Sequence, residues 1–201
     1  MAQQVKAQAK SGMAVVVLAG KRIDAADSET PRFPLDHVDA VKARLRALFL
    51  QLKPQALVCS AACGADLLAL AVARERKIPA YVVLPFNREQ FRASSVVDRP
   101  GDWGPLFDEL VDEAERAGRL TVMKPAGDNH DAYLDAVTTM LDMAAALSGR
   151  AAAGAHQPTT DPGMVTAVAV WNGESRGSRD VTVFFIDEAK KRGFATSAIG
   201  T

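Results

Sequence analysis

Short solid apolar runs alternate along the chain with longer stretches in which apolar residues recur every three or four positions. Met13 to Ala19 is one continuous apolar run ending at Gly20. It is too short for a helix and rich in β-branched residues, so it predicts a strand buried on both faces. From Val38 to Leu52 the apolar residues Val38, Val41, Leu45, Leu48, Phe49 and Leu52 share one helical face. Lys42, Arg44 and Arg46 fall elsewhere, and Pro54 stops the pattern. The same logic predicts strands at Ala56–Ser60, Ala80–Leu84, Leu120–Met123, Val165–Trp171 and Phe194–Ile199. Helices are expected at Ala65–Lys77, Trp103–Ala117, Asp131–Leu147 and Arg179–Arg192, with Gly193 as the last C-cap.

Strands that alternate with helices imply parallel pairing through right-handed crossovers. The expected fold is α/β: a Rossmann-like, doubly wound, mostly parallel sheet with helices on both faces. Residues 13–201 are expected to form one domain, and the polar segment 1–12 a flexible leader without the features of a secretory signal. Two stretches, 21–37 and 151–163, are irregular and long for α/β connections. The second is rich in Ala, Gly, Pro and Thr and is expected to be mobile.

Composition narrows the function. The chain has 201 residues, with 24 Lys plus Arg against 24 Asp plus Glu. It therefore lacks the basic excess that holds nucleic acid by its phosphates, and nucleic acid is not the expected partner. Apolar residues make up 48 % and charged residues 24 %, which fits a globular protein. No apolar run reaches the roughly 20 residues of a membrane span, and a cytoplasmic location is expected. Cys59 and Cys63 lack a neighbouring His and read as small buried apolar residues. No metal site is expected. Gly-x-Gly-x-x-Gly, the Walker A sequence and the Gly-x-Ser-x-Gly elbow are all missing, so no dinucleotide cofactor is expected.

In such a sheet ligands bind beyond the carboxyl ends of the strands, where helix N-termini converge. That rule selects four segments: Gly20-Lys21-Arg22, Ser60 to Asp66, Pro85-Phe86-Asn87-Arg88 and Trp171 to Gly177. In the second, Ala62, Cys63, Gly64 and Ala65 let the backbone approach a ligand, and the following helix offers unpaired N–H groups to an anion. Asp66 has two readings, a carboxylate that stabilises the helix end or an acceptor for a ribose. In the fourth, Gly173 and Gly177 permit positive φ, Ser175 offers a hydroxyl, and Arg176 suits a phosphate. Trp171 can stack on a base or pack against the last helix. Lys21 and Arg22 suit a phosphate clamp or a solvated loop. Phe86 and Phe91 suit a base pocket or the core.

The succession Gly20-x-x-Ile23-Asp24, Pro31-Arg32-Phe33-Pro34, Ala62-Cys63-Gly64-Ala65-Asp66 and Leu84-Pro85-Phe86, followed by Phe91, Ser95-Val96 and Trp103, resembles the SLOG superfamily. That Rossmann-like group contains the LOG phosphoribohydrolases, the DNA-processing protein A family and nucleotide-sensing domains. The resemblance implies a pocket for a nucleotide or nucleotide-derived molecule, formed by residues 20–22, 62–66 and 173–182. The hydrolytic branch carries Pro-Gly-Gly-x-Gly-Thr-x-x-Glu. Here Thr182 can stand for the Thr, but Phe185 stands where the Glu belongs, and Glu174 and Asp180 lack its spacing. The expected function is therefore binding of a nucleotide-type signal, with cleavage of a nucleoside monophosphate's N-glycosidic bond as the alternative. By analogy, a second copy of the chain or a signalling effector is the expected protein partner.

Overall fold

The computed structural model describes residues 13–124, 129–149, 164–175, 177 and 179–201. The leader 1–12, the segment 151–163 and Arg176 lie outside the described residues. The first apolar run becomes strand β1 (Val15–Gly20), and the first amphipathic stretch becomes helix α1 (Val38–Leu52). They are followed by β2 (Ala56–Cys59), α2 (Ala65–Glu75) and β3 (Ala80–Leu84). Then come α3 (Arg88–Ser95), α4 (Gly104–Arg116), β4 (Leu120–Val122) and α5 (Asn129–Leu147). Strand β5 (Val165–Val170), α6 (Val181–Lys191) and β6 (Ala195–Ile199) complete the order.

The six strands form one sheet in the order β4-β3-β2-β1-β5-β6, and every pairing is parallel. The fold is the expected Rossmann-like α/β arrangement. Successive side chains of a strand point to opposite faces, and β1 shows the consequence. Val16 and Leu18 join Val41, Leu45 and Phe49 of α1, Leu67 and Leu70 of α2, and Phe107 and Val111 of α4. Val15, Val17 and Ala19 instead join Val137, Met140 and Leu141 of α5 and Phe185 and Ala189 of α6. Because β1 is covered on both faces, its sequence reads as a solid apolar run rather than an alternation.

Helix α2 is buried at every position from Ala65 to Ala73, because α1 and α4 flank it while it lies on the sheet. Its alanines allow that close approach. Helix α3 has no counterpart among the predicted helices. It is short and polar, and only Phe91 and Ser95 are buried. Its start is marked by Asn87, whose side-chain oxygen accepts from Gln90 N at 2.9 Å. The last helix begins at Val181 rather than Arg179, because the Asp180 carboxylate caps it.

The irregular stretch after β1 is tied down by one carboxylate. Asp24 Oδ2 accepts from Arg32 N and Phe33 N, each at 2.7 Å, and Asp24 N donates to Phe33 O at 3.0 Å. This closes the loop and carries Ile23 and Phe33 into the core. The motif pair Ile23-Asp24 and Arg32-Phe33 is thus a loop clasp.

Candidate functional site

The strand order runs outward from β1 in one direction through β2, β3 and β4, and from β5 in the other to β6. A crevice opens at the carboxyl ends of the strands where the direction switches. Here it is a cavity of about 250 Å³. Gly20, Lys21 and Arg22 line it from β1, and Ser60, Ala62 and Asp66 from the β2–α2 turn. Pro85 follows β3, and Phe91 and Ser95 come from α3. Tyr133, Val137 and Met140 descend from α5, and Arg179, Asp180 and Thr182 stand at the start of α6. A second hollow of about 300 Å³ opens at the other end of the sheet, beside Ile78, Pro79 and Ala80. Its Arg74 pairs with Glu109 at 2.8 Å and its Arg119 donates to Ala80 O at 3.2 Å. Among the described residues no buried unpartnered polar atom belongs to that hollow.

Gly64 was expected to let the backbone approach a ligand, but protein fills the space beside it, as it does beside Gly20. A Cβ on Gly20 would lie 2.5 Å from Ala65 Cβ and 2.6 Å from Val170 O. Gly64, at φ +95°, would place a Cβ 2.9 Å from Ile23 N and 3.0 Å from Lys21 O. The glycines let the β1 loop, the start of α2 and β5 come together. Two of the amides expected to be open at the start of α2 are also engaged. Cys63 N donates to Ser95 O at 2.9 Å and Ala65 N to Lys21 O at 3.2 Å.

At α6 the same correction applies. Asp180 Oδ1 accepts from Thr182 N at 2.9 Å and from Val183 N at 3.4 Å. Its Oδ2 holds Lys21 Nζ at 2.6 Å, with the two side chains only 4 % and 2 % exposed. Lys21 is therefore neither an open clamp nor a solvated side chain. Arg22 reaches across to the end of α3 and the turn after it, donating to Ser94 O and to Asp98 Oδ1 and Oδ2, all at 2.9 Å.

Asp66 is the most perturbed group in the cavity. It is buried, and its Oδ2 accepts from Ala62 N at 3.2 Å. Burial pushes its carboxyl up to about 7, against the lesser opposing effects of the Ala62 amide and the Arg22 charge. Beside it, the buried Ser60 hydroxyl has no hydrogen-bond partner among the described residues. Tyr133 Oη and Ser95 Oγ share a hydrogen bond of 2.7 Å across the cavity wall. The cavity thus joins an apolar wall of Phe91, Val137 and Met140 to a polar floor with hydrogen-bonding capacity left over.

Several candidates lie elsewhere. Phe86 is buried behind the wall, edge-on to Tyr133 with ring centroids 5.3 Å apart. Cys63 does not line the cavity, and burial raises its thiol to about 11. Burial likewise raises Cys59 well above its usual value, and both cysteines are free. Trp171 lines a groove beside β6 with Phe185 and Lys190, outside the main cavity. Glu174, Ser175 and Gly177 are exposed: Asn172 Nδ2 donates to Glu174 Oε2 at 2.9 Å, Arg32 Nε lies 4.0 Å from the same oxygen, and Gly177 N donates to Ser175 Oγ at 3.0 Å. Gly173 and Gly177 do adopt positive φ, +84° and +93°, with open space around each.

Tyr133, Val137 and Met140 were not among the sequence candidates. Their spacing on α5 is the signal of one helical face, but it does not say that the face covers the switch point. Among the described residues no helix is long and apolar enough to cross a membrane.

No protein-family model matches the chain, and no curated protein matches it. Among solved structures it is similar to DNA processing protein A (DprA) from Streptococcus pneumoniae, at 12 % identity and a TM-score of 0.48. The likeness covers 94 % of this chain and 51 % of that one, so this chain spans about half its length.

Proposed function

We propose that the chain binds a nucleotide-derived small molecule in the cavity beyond the carboxyl ends of the strands, between the β1 loop and helices α3, α5 and α6, without cleaving it. The observation that carries this reading is the set of under-satisfied buried polar groups, Asp66 and Ser60, in the same cavity as an apolar and aromatic wall. A planar base suits Phe91, Tyr133 and Met140, while hydroxyl or amino groups suit the Asp66 carboxyl. Small-molecule sites combine these two characters. A volume of about 250 Å³ suits one nucleoside unit better than a dinucleotide. The motif succession that resembles the SLOG superfamily supports the same ligand class.

Cleavage of an N-glycosidic bond is the second reading, and one observation favours it. A carboxyl held near 7 can give or take a proton at neutral pH. Against it, Phe185 of α6 is fully buried in the core, and Asp180 is committed to Lys21 and the helix cap. Titration calorimetry against a panel of nucleosides, nucleotides and cyclic nucleotides tests the binding reading. A ligand at 100 times its Kd stabilises the fold by about 2.7 kcal/mol, which thermal unfolding also detects. Binding lost in Asp66→Asn supports the assignment, and a flat panel defeats it. Release of free base by the wild type but not by Asp66→Asn would replace it with the enzymatic reading.

A further inference from the structure

Asp180 performs two tasks with its two oxygens. Oδ1 takes the first amides of α6, Thr182 N at 2.9 Å and Val183 N at 3.4 Å. Oδ2 takes the Lys21 ammonium at 2.6 Å. An anion that holds helix-start amides and an ammonium stands where a bound phosphate would stand. We infer that Asp180 fills the anion position of the cavity, so that the cavity selects an uncharged, hydrogen-bond-donating nucleoside over its phosphate ester. The inference rests on the proposed nucleotide-derived ligand and narrows it.

The remaining polar groups agree. Lys21 is committed to Asp180, with both side chains almost wholly buried. Arg22 is committed to Asp98 and Ser94 O, and Arg179 is likewise engaged. What the cavity still offers is the Asp66 carboxyl, bonded to a single amide, and the Ser60 hydroxyl. The carboxyl calls for a donor, while the hydroxyl can both donate and accept. A ribose and the amino groups of bases carry donors, whereas a phosphate dianion carries only acceptors. A phosphate entering here would find the cap amides and the Lys21 ammonium already taken by Asp180, and would face that carboxylate where little water screens the repulsion.

The test is titration calorimetry at pH 7 with adenosine, guanosine, cytidine and uridine and with their 5′-monophosphates. Wild type is compared with Asp180→Asn, which keeps an oxygen for the helix cap but removes the charge. Should Asp180→Asn melt below the assay temperature, Asp180→Ser serves the same purpose. The nucleoside that binds wild type is expected to bind about tenfold tighter than its monophosphate, and the uncharged variant to close most of that gap. A monophosphate that binds wild type as tightly as its nucleoside, or tighter, overturns the inference. A preference left unchanged in the variant overturns it too, because the discrimination then lies elsewhere. If neither class binds any of the proteins, the proposed ligand class itself fails, a result distinct from either of those.

Discussion

Asp66 shows how one buried side chain can set a property of the whole protein. Its folded pKa of about 7 stands above the 3.8 of a carboxyl in water. Between about pH 4 and pH 7 the folded chain therefore holds a proton that the unfolded chain has released. The stabilisation from this group is complete below pH 4 and is lost as pH rises through 7. The difference corresponds to about 4 kcal/mol at 1.36 kcal/mol per pKa unit. Asp66→Asn removes the effect, so urea unfolding at pH 5 and pH 8 gives the check. Relative to wild type, the variant is expected to gain about 2–3 kcal/mol between the two pH values, since about two of the three pH units separating the unfolded and folded pKa fall inside that window. Glu75, Asp108 and Glu188, whose basic neighbours hold their carboxyls down, are common to both proteins and cancel. A stability difference that stays flat with pH would show that Asp66 is ionised throughout.

The elements around the cavity are held by close approach and by caps. Gly20 lies where β1, β5 and the start of α2 meet, and any side chain there collides with Ala65 and Val170. Gly20→Ala is expected to cost about 1–3 kcal/mol by overpacking. Gly200→Ala, which enters open space, should stay within about 0.5 kcal/mol of wild type in the same denaturation series. Equal effects at the two positions would contradict the close approach. Helix α3 carries Phe91 and Ser95 to the cavity and is capped by Asn87. Asn87→Ala should destabilise the chain by about 1 kcal/mol, read from its urea midpoint. No change there would mean that packing of Phe91 alone holds α3.

At the scale of the molecule, the two cores meet across β1, which pairs with β2 on one side and β5 on the other. The sheet ends at β4, only three residues long and with Val122 exposed, and at β6. Amides that open only on global unfolding exchange most slowly. Hydrogen exchange should therefore be slowest at Val16, Val17 and Leu18 and much faster in β4. Comparable protection in both strands would mean that the sheet opens as one unit.

The sequence alone determined the alternation of strands and helices, because periods of 2 and 3.6 are local properties that each segment carries whatever it later touches. It also placed Lys21, Asp66 and Pro85 near carboxyl ends of strands, and the family resemblance added Asp180; those four do line one cavity. Helix α3 escaped because a short polar helix has almost no periodicity to read. The roles were less legible than the positions. Lys21 and Asp180 stand 159 residues apart, and only the neighbouring of β1 and β5 joins them. Likewise, no local pattern announces that α5 carries Tyr133 over the switch point. Tertiary structure decided these matters, because strand order, desolvation and charge pairing depend on which distant segments share a space.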